Sequence, residues 1–236
     1  MDDFEIVGIG EVSVRWVPVN DIYAQMHREL PEVFKEDELG GKILNLASIK
    51  QDGKVIEIVG EFVDYRLFQL QRQNPEQIQT IRPVGVSGVT VVSEKGEEFL
   101  LFARRGKGVT QFAGFYELAP SGGLSDEFAR QDGTVDFAGQ LLAELMEECR
   151  ISADMVEELS AFAVVLDKGE NVYDICCRIV LSADRDGLGA GFWASGEYVE
   201  LQWIAGQDLE AFLADNDGIL VPTTGAIITA FRKRYY

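Results

Sequence analysis

Three glutamates on one face of a helix constrain this chain more than any other feature. They lie in QLLAELMEECRI (Gln140–Ile151), where Glu144, Glu147 and Glu148 are spaced i, i+3, i+4. At about 100° per residue these positions share a face. Leu141, Leu142, Leu145 and Cys149 gather on a different side, which can pack into a core. Crowded carboxylates repel one another by several tenths of a kcal/mol per pair. Two environments relieve that repulsion: water over a solvated acidic face, or a hard cation. Mg2+ is the natural cation here, because it takes oxygen ligands, keeps several waters and completes its octahedron with substrate phosphates.

The segments before the helix read as strands. VGVSGVTVV (Val84–Val92) and EFLLFARR (Glu98–Arg105) form a hairpin pattern around a turn glycine. GFYELAPSGGL (Gly114–Leu124) then enters an Asp- and Gly-containing loop, and a helix is expected from about Val135 to Arg150. Further strands are expected at Ala161–Asp167, Asn171–Ser182 and Glu197–Ala205, with a glycine-rich loop at Gly187–Gly196. DLEAFLA is a short helix, and TTGAIITAFRKR closes the chain as a helix with basic residues in its last turn.

Residues 1–80 read as an N-terminal extension, β-rich with a short helix, and residues 81–236 as the main domain. In the extension, Val12–Val19 alternates like a strand and Asp21–Leu30 has helical spacing. Lys42–Lys50 and Lys54–Phe62 are strands joined by the Asp52-Gly53 turn signal. DYRLFQLQ fits strand or helix equally, and Gln71–Thr80 is the best linker candidate. Strands and helices mix without regular alternation, so the expected class is α+β, or an α/β/α sandwich around a mixed sheet.

Charge and cysteine content narrow the function. Lys plus Arg number 21 against 40 Asp plus Glu, a formal net charge of −19. Such a surface repels a phosphate backbone, so no nucleic-acid partner is expected. A small phosphorylated substrate remains compatible, because a bound divalent metal would dominate the local field. No apolar run approaches the roughly 20 residues needed to span a bilayer, and the start MDDFEIVGIGEV lacks the basic opening of a signal peptide. A cytoplasmic protein with no membrane partner is expected. Three cysteines suggest no disulfide framework, and adjacent Cys176 and Cys177 would point to opposite faces of a strand. His27 is the only histidine, so a multi-histidine metal site is excluded.

With these residues in view, the chain resembles the Nudix hydrolase family over roughly residues 81–215. The second half of that family's signature runs Arg-Glu-hydrophobic-any-Glu-Glu-any-Gly-hydrophobic. Here it reads Ala143-Glu144-Leu145-Met146-Glu147-Glu148-Cys149-Arg150-Ile151. The acids match the family's principal metal ligands in type and spacing. Pro120, Gly122 and Gly123 look like the Pro-x-Gly-Gly entry common in the family. Ala143 replaces the signature Arg, and Arg150 the signature Gly. The stretch from Gly123 to Glu144 is longer than the family spacing, with the surplus in SDEFARQDGT. The signature's first Glu has no secure counterpart, Glu127 and Asp136 being the nearest acids.

The resemblance implies a Nudix-like α/β/α sandwich and a Mg2+-dependent pyrophosphohydrolase, with Mn2+ as the alternative ion. Its substrate would be a small nucleoside diphosphate linked to another moiety, such as a nucleotide sugar or ADP-ribose. It implies Glu144, Glu147 and Glu148 as metal and catalytic residues, and Arg104, Arg105, Gly122 and Gly123 as substrate contacts. Glu170, Glu197 and Glu200 are candidates for a further acid from a later loop, and Phe112, Phe115, Tyr116 and Trp193 for stacking on a base. A Nudix-like binding or regulatory protein with reduced turnover, and a hydrolase of a non-nucleotide diphosphate, are the alternatives. The N-terminal extension is a candidate homodimer surface.

Overall fold

A computed structural model describes residues 3–28, 41–74, 80–109, 111–183, 185, 188 and 197–236. Its centre is the apolar hairpin read from the sequence. β5 (Val84–Glu94) and β6 (Glu97–Arg105) pair antiparallel, Val91 opposite Leu100, around Lys95 and Gly96 at φ 53° and 85°. β5 is buried over nearly its whole length because strands flank it on both sides and layers cover both faces. That environment explains its continuous apolar run.

The other strands assemble around this hairpin. β10 (Val172–Leu181) runs parallel to β5, Cys177 opposite Gly88, and antiparallel to β9 (Val156–Asp167). β1 (Phe4–Ile9) joins the outer edge of β9, and β11 (Tyr198–Ala205) the outer edge of β6. Short β7 (Tyr116–Leu118) and β8 (Ser121–Gly123) add to β6 and β5. The sheet order is β1-β9-β10-β5-β6-β11, mixed because of the parallel β5–β10 pair. Helices cover both of its faces, so the chain is α+β with a mixed central sheet.

On one face, Val89, Phe102, Phe162 and Phe231 form a cluster with the helices Leu209–Asp215 and Thr223–Tyr235. On the other, Val86, Leu141 and Leu145 pack beneath the acidic helix, Phe137–Cys149. The second cluster also contains Val14, Leu44, Leu46, Ile56 and Ile58 from a three-stranded sheet. In that sheet β2 (Glu11–Val17) pairs parallel to β4 (Val55–Asp64), and β3 (Lys42–Asp52) pairs antiparallel to β4. Residues on both sides of position 80 therefore share one apolar core, and β1 belongs to the central sheet. Cys176 and Cys177 lie in opposite clusters, as their alternation requires.

The helices are α1 (Asp21–Arg28), α2 (Tyr65–Gln73), α3 (Phe137–Cys149), α4 (Leu209–Asp215) and α5 (Thr223–Tyr235). The ambiguous DYRLFQLQ is helix α2. Asp64 caps it by accepting a hydrogen bond from the Arg66 N–H at 3.0 Å, and Leu67, Phe68 and Gln71 are its buried residues. α3 starts at Phe137 rather than near Val135, because Asp136 accepts from the Gly139 N–H at 3.0 Å while Val135 bonds the Val14 carbonyl. Most of the expected Gly187–Gly196 loop, Trp193 included, lies outside the described residues, as do positions 75–79 of the expected linker. No described helix is long and apolar enough to cross a membrane.

Candidate functional site

The cis Ala119–Pro120 bond separates β7 from β8, and β8 pairs with β5 through Ser121–Ser87 and Gly123–Gly85. This places the Ser121–Gly123 backbone beside α3. Glu148 is 2% exposed and accepts a hydrogen bond from the Ser121 N–H at 3.0 Å. Glu144, one turn earlier, lies against Gly122, where a Cβ would stand 2.2 Å from its Oε1. Gly122 therefore leaves the room Glu144 occupies. Gln140 Nε2 donates to Glu144 Oε1 at 2.7 Å, while its own oxygen accepts from Ser125 N and Oγ at 3.2 and 3.0 Å. Glu147 is on the exposed side of the helix.

Crowding and burial act on these acids together. Burial pushes the Glu148 carboxyl up to about 9, with Glu197, Glu144 and Glu117 adding to the rise and the Ser121 bond opposing it. Glu144 is pushed up to about 7, first by burial and then by Glu147 and Glu197, against the hydrogen bond from Gln140. Among the described residues, no three Asp, Glu, Cys or His side chains converge into a finished metal cage. Mg2+ does not require one, being held by one or two carboxylates together with waters and substrate phosphates. The donor set is all oxygen, and its mutual repulsion is of the kind a cation relieves, so Glu144 and Glu148 fit a hard divalent ion.

Glu148 also lines a cleft of about 290 Å3. Its lining includes Gly85 and Ser87 of β5, Ser121–Gly123 and Asp174 of β10. Arg105 reaches in from the end of β6, ion-paired with Glu117 and donating to the Gln111 carbonyl at 3.1 Å. Burial works against the charge on Arg105, but Glu117, Tyr198 and Glu197 together raise the guanidinium further. Tyr198 is 1% exposed, and burial, then Glu117 and Glu148, push its hydroxyl well up. Asp174 is pushed up to about 6 by burial, against a hydrogen bond from Ser87. Six carboxylates line the cleft (Glu117, Glu148, Asp167, Glu170, Asp174 and Glu197) against one described cation, Arg105.

Of the residues singled out from the sequence, Arg105, Gly122, Gly123, Glu148, Glu170, Glu197 and Phe112 line this cleft. Arg104 does not. Its guanidinium pairs with Glu200 at 3.7 Å and lies 5.7 Å from the Tyr116 ring centroid. Tyr116 is buried against Phe212, and Phe115 packs on Phe112 at 5.6 Å. Sequence reasoning missed Glu117, Asp174 and Tyr198. Acids inside the apolar runs YEL and VYDICC were the available signal, since a carboxylate in a buried strand needs a reason.

The departures from the family pattern also have structural positions. Arg150 caps α3 in the left-handed conformation, φ 58° and ψ 27°, which glycine adopts without strain. Ala143 is exposed. The long loop before α3 is held by the N-terminal sheet: Trp16 N–H donates to the Gly133 carbonyl at 2.8 Å, and Trp16 Nε1 to the Arg130 carbonyl at 3.0 Å. Asp136 caps the helix and pairs with Arg130 at 2.6 Å, while Glu127 sits in a short 3-10 turn of the loop.

No family model matches the chain, and no curated protein matches it. Among solved structures it is similar to the NUDIX domain of Shewanella oneidensis NrtR complexed with ADP ribose. Identity there is 15% and the TM-score 0.41, over 71% of this chain and 98% of that one. It is similar also to a bifunctional NMN adenylyltransferase/ADP ribose pyrophosphatase from Francisella tularensis, complexed with AMP and Mn ion. That match has 15% identity and a TM-score of 0.46, over 72% of this chain and 46% of the other, so the chain spans under half of that protein. A third is a Nudix hydrolase from M. Smegmatis, RenU, at 17% identity and TM-score 0.43, covering 64% and 84%. The structural neighbours are Nudix hydrolases at low identity.

Proposed function

We propose that the protein is a Mg2+-dependent pyrophosphohydrolase acting on a nucleoside diphosphate linked to another moiety. The observation that carries this is the placement of Glu144 and Glu148 against the Ser121–Gly123 backbone, Glu148 lining the cleft, where burial first and neighbouring acids second make both carboxyls hold protons above their usual range. Glu144 and Glu148, with Glu147 on the exposed flank, would hold the metal, and Mn2+ is the alternative ion. When bound, the metal would neutralise charge on the diphosphate and acidify an attacking water.

The chain's own residues do the rest. Gln140 and Gly122 fix the position of Glu144, and the Ser121 N–H fixes Glu148. Arg105, anchored on Glu117, presents a fixed positive group to the cleft that Gly122 and Gly123 also line. Water oxygen bonds to one phosphorus, the bridging P–O bond breaks, and the water's proton passes to a carboxylate of the helix face. The product that leaves carries the bridging oxygen. Three buried, unpaired cysteines suit a reducing cytoplasm.

The test is a Mg2+-dependent product screen by mass spectrometry across a broad diphosphate panel, with Glu148→Gln as control. Two organic monophosphates from one capped diphosphate, lost in the variant, are expected. No product from any member, or a Glu148→Gln protein as active as the wild type, would sink the proposal. Multiple turnover also separates this enzyme from a ligand-binding protein of the same shape.

A further inference from the structure

Two of the cleft's carboxylates are already engaged by the chain itself. Asp167, the last residue of β9, accepts hydrogen bonds from the Gly169 and Glu170 N–H groups at 2.8 and 3.1 Å, which shapes the turn into β10. That turn carries Glu170 to Arg72 near the end of α2, and the guanidinium Nε donates to its carboxylate at 3.1 Å. The same guanidinium lies 5.8 Å from the Phe68 ring centroid. One residue earlier, Gln71 is 6% exposed and grips the chain ahead of β5. Its Nε2 donates to the Ile81 carbonyl and its Oε1 accepts from the Ile81 N–H, both at 2.8 Å. Leu67 and Phe68 are buried with Ile43 and Ile81, and Val172 of β10 packs on this cluster. Helix α2, a piece of the N-terminal extension, is thus fastened to the segments leading into β5 and β10. Its Tyr65 and Phe68 line the cleft, as do Glu170 and Val172.

We propose, on the footing of the hydrolase function above, that Arg72 and Glu170 are positioning residues: their ion pair, with the Gln71 clamp, holds α2 as a fixed wall of the cleft. Glu170 then sets the affinity for substrate and takes no part in the chemical step. A general base must be free to take a proton from the attacking water, whereas Glu170 is held by Arg72 at the turn that fastens α2. The pair is partly exposed, with side chains 28% and 38% accessible, so it adds little to global stability. Its effect is local. A ligand that needs the ordered wall binds only the fraction of molecules in which the wall is in place, and its apparent dissociation constant rises as that fraction falls.

The experiment is steady-state kinetics with Mg2+ on ADP-ribose, or on whichever member of the diphosphate panel is turned over faster. Arg72→Ala and Glu170→Ala should each raise KM about two- to fivefold, the reach of a partly exposed ion pair, and leave kcat nearly unchanged. The double variant should be no worse than either single one, as a shared interaction requires. Arg72→Lys, which keeps the charge, should recover most of the affinity, and it keeps the test usable if either alanine variant folds poorly. A fall in kcat of about a hundredfold in Glu170→Ala would make that residue part of the chemistry and overturn the inference. Wild-type KM in both single variants, or additive effects in the double one, would overturn it too. If the wild type turns over no member of the panel, the hydrolase proposal fails, and the calorimetric Kd of ADP-ribose takes the place of KM. Weaker binding in both single variants then supports the fixed wall; equal binding, or none in the wild type, overturns it.

Discussion

Consider the metal-free protein taken from about pH 5.5 to about pH 8.5. Glu148 has an ordinary carboxyl value of 4.5 in the unfolded chain and about 9 in the fold, raised first by burial. Across that window the folded state holds more protons than the unfolded one, so stability falls as pH rises. The stability is fully present below the unfolded value and is lost progressively toward the folded one. At about 1.36 kcal/mol per unit, the loss from Glu148 at pH 8 has a ceiling of about 5 kcal/mol. Water entry and relaxation reduce this, and half of it corresponds to a Tm decrease of roughly 5–10 °C in a chain of this size. Differential scanning fluorimetry in EDTA should show that decrease. Glu148→Gln should flatten the curve above pH 7, where the remaining slope from Glu144, held near 7, fades. Adding Mg2+ at pH 8 should raise Tm in the wild type and much less in the variant, because a cation favours the ionised acid. A wild-type Tm that is flat or rising with pH, or a Glu148→Gln curve parallel to it, would refute the reasoning.

Other substitutions separate site from scaffold. Gly122→Ala drives a methyl onto the Glu144 carboxyl rather than onto backbone. It should lower Mg2+-dependent turnover by about tenfold or more while changing Tm little; an unaffected rate would show that Glu144 is not held there. Gly10→Ala places a Cβ 2.0 Å from the Lys54 carbonyl oxygen, where the chain passes from the central sheet to the three-stranded one. A loss of about 1–3 kcal/mol in urea unfolding is expected, and a neutral result would contradict the packing. Arg150→Gly removes a side chain from a left-handed helix cap and should stabilise by about 1 kcal/mol, read as a raised urea midpoint.

Much of the fold was legible because its signals are local. The Asp52-Gly53 and Lys95-Gly96 turns, the apolar run of β5 and the two-sided alternation around Cys176 and Cys177 each follow from one stretch of chain. Helix α2 was not legible, because DYRLFQLQ fits both periods and only packing of Leu67 and Phe68 under the N-terminal sheet chooses between them. The start of α3 moved for a similar reason: Val135 is claimed by the Val14 carbonyl.

The three glutamates show where each level decides. Spacing alone determined that Glu144, Glu147 and Glu148 share a helical face, because side-chain direction follows backbone period. Which of them is buried, and against what, was decided by contacts distant in sequence. β8 brings the Ser121 N–H to Glu148 and the bare Gly122 backbone to Glu144, while Glu147 stays in solvent. Asp174 and Glu117 join the cleft through pairings of β10 and β7 with their neighbours, and Tyr198 is buried near Glu117 through the pairing of β11 with β6, which no local pattern encodes. Periodicity is a property of one segment, whereas desolvation and charge crowding belong to everything packed around it.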